Sequence, residues 1–200
     1  MTTSDPSSED RTTDAQLITL SQAGSLEAFQ ELARRYQRRL FGLCYRLLGR
    51  YHDAEDASQE AFLRAYRALD RYDPGRPFDR WLLAIAANCC VTILRRRRSR
   101  SREVEAPAVD QHPEPAAGTS AADEAQAHEF AEALGAAIAK LPETYRTPFV
   151  LFHQEEMKYE EIARVLNVSL GTVKSRVHRA REQLYERLSR AGFLKSEGSR

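Results

Sequence analysis

Residues Tyr159 to Leu184 read YEEIARVLNVSLGTVKSRVHRAREQL, and the spacing within this stretch decides the fold. Ile162, Ala163 and Leu166 share one helical face, with the small Ala163 allowing a second helix to approach closely. Asn167, Val168 and Ser169 then make a turn. Asn tolerates the left-handed backbone such a turn requires, and the Ser169 hydroxyl can accept from an orphan amide at the start of the next helix. In that next helix Val173, Val177, Ala180 and Leu184 recur at four, three and four, so one stripe faces a core. Thr172, Lys174, Ser175, His178 and Arg179 lie opposite. The segment reads as a helix-turn-helix whose outer face offers cations for phosphate and polar side chains for base edges. An amphipathic surface helix alone would account for the charges; the turn chemistry and the first helix together favour DNA.

Working outward, 200 residues accommodate one domain or two small ones, and a hydrophobic fraction of 42% suffices for ordinary cores. The longest apolar run, near Trp81 to Ala87, is too short for a bilayer, and the acidic start lacks the character of a signal peptide. These features predict a cytoplasmic protein without membrane insertion. Cys44, Cys89 and Cys90 sit in apolar helical contexts with no metal-ligand spacing, and read as buried thiols rather than a redox or zinc site. The net charge of +1 hides a division along the chain. Residues 1–25 carry −3, 26–98 carry +6, 99–128 carry −4 and 129–200 carry +2. Basic blocks that alternate with acidic ones suit folded parts meeting a polyanion, joined by segments that do not.

The polar start to about Thr13 reads as disordered, and residues 1–21 as a tail that is disordered or partly helical. From Leu26 a helical face carries Phe29, Leu32, Tyr36, Leu40, Leu43, Cys44 and Leu47, ending near Gly49. Asp53 to Leu69, DAEDASQEAFLRAYRAL, buries Ala57, Ala61, Phe62, Ala65 and Leu69 and turns Asp53, Asp56, Gln59 and Glu60 outward. Composition explains those acids as complements of a helix N-terminus. Arg71 to Pro77, RYDPGRP, makes an exposed loop. A long helix from Phe78 to about Arg98 follows, with Phe78, Trp81, Leu82, Ile85 and Cys89 inward and Asn88, Thr92, Arg95 and Arg96 on a polar side. Residues 99–125, with Pro107, Pro113, Pro115 and Gly118, read as a flexible linker. Beyond it, a helix bearing Phe130, Leu134, Ile138 and Leu141 leads into LPETYRTPFVLFHQEEM. Pro142 fits the first helical position there and Pro148 is expected to kink the helix. The tail from about residue 191 frays.

The fold expected is therefore all-α: two small helical domains, about 22–98 and 126–190, joined by a flexible linker, the second ending in the helix-turn-helix. DAEDASQEAFLRAY, FDRWLLAIAANCC and LPETYRTPFVLFHQEEMKYEEIARVLNVSLGTVKSRVHRAREQL, in this order, resemble the bacterial RNA polymerase sigma factors of the extracytoplasmic-function class. The resemblance implies that Asp53, Asp56, Gln59 and Glu60 dock on the clamp helices of the largest polymerase subunit, with the flap of the second-largest as a further contact. It also implies that Tyr72, Asp73, Arg76, Trp81, Asn88, Thr92, Arg95 and Arg96 read and melt the minus-ten element. Lys174, Ser175, Arg176, His178 and Arg179, with Thr172, match positions that read the minus-thirty-five duplex, and Tyr159 and Glu160 touch the backbone or adjacent bases. Lys158, His178 and Thr92 depart from residues common in the family, which bears on promoter sequence rather than class.

By the same resemblance the partners are core RNA polymerase, promoter DNA and an anti-sigma factor. No catalytic constellation, phosphate loop or cofactor motif stands in the chain, so it is expected to act by binding, without cofactor or metal. No heptad seam suggests a dimer, and a monomer is expected when the protein is free. A stand-alone helix-turn-helix regulator, or a scaffold that never meets DNA, are the competing readings.

Overall fold

A computed structural model describes residues 12–101 and 121–194, and this described part is all-helical. Eight helices follow in order: α1 Asp14–Gln22, α2 Leu26–Leu48, α3 Tyr51–Ala68, α4 Phe78–Ser101, α5 Ala121–Ala139, α6 Glu143–His153, α7 Tyr159–Leu166 and α8 Leu170–Arg190. The expected linker lies outside the described residues except at its two ends, which continue α4 to Ser101 and begin α5 at Ala121.

Helices α1 to α4 form the first unit, with α2, α3 and α4 packed on one another and α1 laid against α2. The tail of residues 1–21, read as disordered or partly helical, is helical from Asp14, and this helix is tied down. The Thr13 hydroxyl accepts from the Gln16 amide at 3.3 Å while the Gln16 side chain accepts from the Thr13 amide at 2.8 Å, closing both ends of a capping box. Arg35 and the Tyr36 hydroxyl then hold Asp14 at 2.7 and 2.5 Å, and Gln22 donates to the Leu69 carbonyl at 3.0 Å. Only Leu17 and Ile18 are apolar and buried in α1, too few for a periodic signal. The expectation for the first residues, up to Arg11, falls outside the described part.

Leu40, Leu43, Cys44 and Leu47 of α2 and the alanine stripe of α3 at Ala54, Ala57, Ala61 and Ala65 are essentially inaccessible, and the two helices pack on each other. Alanine at these four positions lets α2 and α3 approach closely, which fixes the groove described below. Gly49 ends α2 at φ 68°, the left-handed conformation that glycine adopts without strain.

In the second unit α8 is the spine, packed on α5, α6 and α7. Pro142 stands at the N-cap of α6, with extended ψ of 139°, rather than at the first helical position. The helix passes through Pro148 with that residue buried. Residues 192–194 fold back instead of fraying. Gly192 takes φ 84°, Phe193 donates to the Leu188 carbonyl at 3.0 Å, and its ring meets Phe130 at 5.9 Å. Buried apolar side chains of both units belong to one contiguous cluster, joined where α4 meets α7 and α2 meets α6.

Candidate nucleic-acid and polymerase interface

The helix-turn-helix is built as its residue types dictate. Asn167 takes φ 51° and ψ 55° at the end of α7, and Val168 donates back to the Ala163 carbonyl at 3.1 Å. Ser169 caps α8 by accepting from the Thr172 amide at 3.2 Å, and its hydroxyl lies 2.8 Å from that of Thr172. Val173, Val177, Ala180 and Leu184 are buried. Lys174, Ser175, His178 and Arg179 are exposed on the opposite face, with Arg176 half-buried at its edge. Glu182 lies 3.0 Å from Arg179 and 3.3 Å from His178, pairs on the open surface that water and salt weaken. The outer face of α8 is thus formed and open.

Two neighbours of that face are less available. Tyr159 stacks on Phe152 at 4.3 Å with the rings 14° apart, so its ring serves packing, whereas Glu160 is exposed. His153 accepts from Arg181 Nε at 3.0 Å across α6 and α8. Burial, and then the Arg181 charge, hold the His153 imidazole below its ordinary pKa, as that acceptor role requires.

The downstream candidates gather at the start of α4. Tyr72, Phe78 and Trp81 form a three-ring cluster with centroids 5.1 to 5.6 Å apart. Tyr72 was expected at the loop surface but is 7% exposed, its hydroxyl donating to the Arg76 carbonyl; it therefore shapes the loop from beneath. Asp73 folds the loop by accepting from the Gly75 amide at 2.9 Å. A Cβ at Gly75 would lie 3.2 Å from that carboxylate, a reason for glycine there. Asn88 and Thr92 are accessible but bond their own helix, at the Ala84 and Asn88 carbonyls. Arg95 and Arg96 are both exposed, and Arg95 donates at 2.8 Å to the Leu166 carbonyl at the end of α7.

On α3, Asp56 and Gln59 are exposed and Glu60 pairs with Arg64 at 2.6 Å. Asp53 differs: it is held by Arg97, which also donates to the Leu48 carbonyl at 3.0 Å. Beside this face runs a groove of about 300 Å³ between α2 and α3, lined in part by Arg34, Gln37, Phe41, Gln59 and Phe62. The α2 side of that groove was missed in the sequence, where α2 was read for its core stripe. The signal was there in Gln30, Ala33, Arg34, Gln37 and Phe41, a second set at helical spacing on the other side.

All three cysteines are buried and free. Burial raises the Cys89 thiol, while the hydrogen bond between Cys44 and Cys90 lowers Cys44 and, with burial second, raises Cys90. Among the described residues no group of His, Cys, Asp and Glu could hold a metal ion, and no helix is long and apolar enough to cross a membrane.

Fold and site together define a two-part helical protein, with a helix-turn-helix that exposes a cationic face in one part and an aromatic-floored loop in the other. Residues 32–100 match the family description Sigma-70 region 2, and residues 131–184 match Sigma-70, region 4. Among known proteins the chain is similar to the ECF RNA polymerase sigma factor SigW of Bacillus subtilis, 35% identical over 170 residues, covering 82% of this chain and 91% of that one. Its fold is similar to CnrH solved with the cytosolic domain of CnrY, at TM-score 0.55 and 27% identity over 88% of this chain and 97% of the other. It also resembles RpoE of Bartonella quintana solved with the anti-sigma factor NepR, at TM-score 0.61 and 24% identity over 82% and 98%. The chain belongs to the sigma-70 family, in its ECF class, and is a promoter-directing RNA polymerase sigma factor that works by binding rather than catalysis.

Proposed function

We propose that residues 14–101 engage core polymerase and the opened minus-ten strand, while residues 121–194 read the minus-thirty-five duplex. The observation that carries the upstream half is the capped, buried-backed α8 with Lys174, Ser175, His178 and Arg179 exposed on one face. A helix so presented enters a major groove and reaches base edges without rearrangement. Arg176 and Thr172 flank that contact, and Glu160 lies at its edge.

Downstream, single-stranded reading needs a pocket, polar groups and nearby cations. The loop of Asp73 to Arg76, the edge of Trp81 and the amide of Asn88 supply these, with Thr92 and Arg96 one and two turns along. Asp56, Gln59 and Glu60, with the adjoining groove on α2 and α3, are the surface proposed for the clamp helices of the largest subunit. The second domain is proposed to meet the flap of the second-largest. CnrH was solved with the cytosolic domain of CnrY and RpoE with the anti-sigma factor NepR, and an anti-sigma partner is proposed for this chain too. The protein works where the polymerase is, in the cytoplasm, as a monomer until it joins the enzyme.

Permanganate reactivity of promoter thymines tests the division of labour. Unstacking a base costs a few kcal/mol, which a pocket must offset. Holoenzyme carrying Asn88→Ala is expected to keep its upstream footprint and lose thymine reactivity. Loss of the upstream footprint with reactivity retained would assign Asn88 to the wrong step.

A further inference from the structure

Helix α1 carries none of the residues assigned to DNA or to polymerase, yet its two end residues reach the two ends of the loop proposed to read the opened strand. At the C-terminal end, Gln22 donates from Nε2 to the Leu69 carbonyl at 3.0 Å. The same carbonyl accepts from the Tyr72 amide at 3.0 Å, so both its lone pairs serve the turn that delivers Tyr72 to the aromatic cluster. Leu69 is 2% exposed and begins a short 3-10 turn, Leu69–Arg71, against which α1 packs.

At the N-terminal end, Asp14 accepts from the Tyr36 hydroxyl at 2.5 Å and from Arg35 at 2.7 Å. The Tyr36 ring meets Phe78 edge-on, with centroids 5.4 Å apart. Phe78 is the first residue of α4, where the loop ends, and it packs on Tyr72 and Trp81. Asp14 and Gln22 are the first and last residues of one helix, about 12 Å apart along its axis. Leu17 and Ile18, buried between them, fix that helix to the core. The tip of the loop is folded by its own Asp73. Its ends are held from outside, by α1 and by Arg39 of α2, which bridges to Asp79 at 2.8 Å.

We propose that α1 is a brace for the minus-ten loop, with Gln22 and Asp14 as positioning residues that act through Leu69 and through Tyr36. The brace deepens the downstream reading proposed above and rests on it. Ordering a loop at the moment of binding opposes the contacts that the loop makes, and a loop already held in its bound shape avoids that opposition. When α1 loosens its grip, the competent shape becomes a fraction of the ensemble, and apparent affinity for the unpaired strand falls by that fraction.

Deletion of α1 would bare the core that Leu17 and Ile18 cover, so the test changes single side chains in the full chain. Gln22 is exposed, and Gln22→Met removes its donor without opening a cavity; Tyr36→Phe removes the hydroxyl and keeps the ring. Trp81 is the single tryptophan of the chain, so its emission in the free protein reports on the floor of the loop. In the double variant, with native circular dichroism, Trp81 emission is expected to shift to the red and to be quenched more readily by acrylamide. Holoenzyme is then titrated with a fork DNA, duplex upstream and single-stranded across the minus-ten element of a promoter that the parent opens. Each single variant is expected to bind this fork about three- to tenfold more weakly than the parent, with affinity for core polymerase and for upstream duplex unchanged. Unchanged Trp81 emission and quenching would overturn the brace. Altered Trp81 signals with unchanged fork binding would overturn the positioning role. A parallel loss of core affinity would overturn it too, because docking and strand reading share the first four helices and a merely structural defect lowers both. A parent holoenzyme that binds the fork no better than duplex would sink the downstream reading itself, while Trp81 would still decide the brace.

Discussion

Helices α4 and α8 both carry a run of basic residues, and the structure uses the two runs in opposite ways. On α8, Arg179 and His178 meet only Glu182 of their own helix on the outer face, while Arg181 donates to His153 and Arg187 to the Lys140 carbonyl. On α4, Arg97 is committed to Asp53 and Leu48, Arg95 to Leu166, and Arg98 to Thr144 and Glu143. The lesson is that residue type and spacing say which charges a helix has, but not which of them remain available. The outer face of α8 keeps Lys174 and Arg179 exposed, whereas of the α4 run Arg96 alone has no such partner across the fold among the contacts described.

The comparison breaks most severely if α8 loses its support. Ile162 of α7 is fully buried, and Ile162→Ala is expected to cost about 2–5 kcal/mol in denaturant unfolding of the second domain. Upstream protection by holoenzyme is expected to fall with it. Retained protection in a variant destabilised this much would mean that the α7 packing does not position the reader.

A smaller change leaves the fold alone and removes one contact. Arg179→Ala is expected to weaken holoenzyme binding to its promoter by about 1–3 kcal/mol if the guanidinium makes a bidentate base contact. Filter binding over a salt series checks this, and unchanged affinity would remove Arg179 from the reading face.

Much of this second domain was legible in the sequence, because local chemistry decides it. Asn167, Ser169 and the stripe Val173, Val177, Ala180, Leu184 act within one turn or one helix, and the structure has each in its expected place. Helix α1 was not legible, since it is held by Asp14 reaching Arg35 and Tyr36 and by Gln22 reaching Leu69. Tyr72 and Asp53 fared alike: each looked exposed from its neighbours in sequence, and each is claimed by a partner that folding brings near. Glu155 is the extreme case, an acid among acids in sequence whose partners lie 109 and 116 residues away.

Finer still is the cap. Ser169→Ala removes the acceptor of the Thr172 amide and is expected to cost about 1 kcal/mol of second-domain stability, read as a lowered midpoint in thermal unfolding. An unchanged midpoint would show that Asn167 and the core stripe alone fix the turn.

The smallest effect concerns pH. His153 has a folded pKa held below its unfolded value near 6.5. Its neutral form therefore contributes stability that is fully present above about pH 6.5 and lost as pH falls toward the lower folded value. Second-domain stability is expected to decline over that acid window, and the decline to shrink in His153→Gln. An equal decline in both proteins would place the titration elsewhere.

The most direct measurement of the central claim is a footprint on promoter DNA at physiological salt, with the purified protein alone and then with core polymerase added. One small domain with a net charge of +2 over residues 129–200 neutralises few phosphates, so alone it binds weakly. Held together with the first domain on the enzyme, it gains effective concentration without new contacts. The account predicts upstream protection and downstream thymine reactivity that both require core polymerase. A tight, sequence-specific, two-fold symmetric footprint made by the protein alone would contradict it.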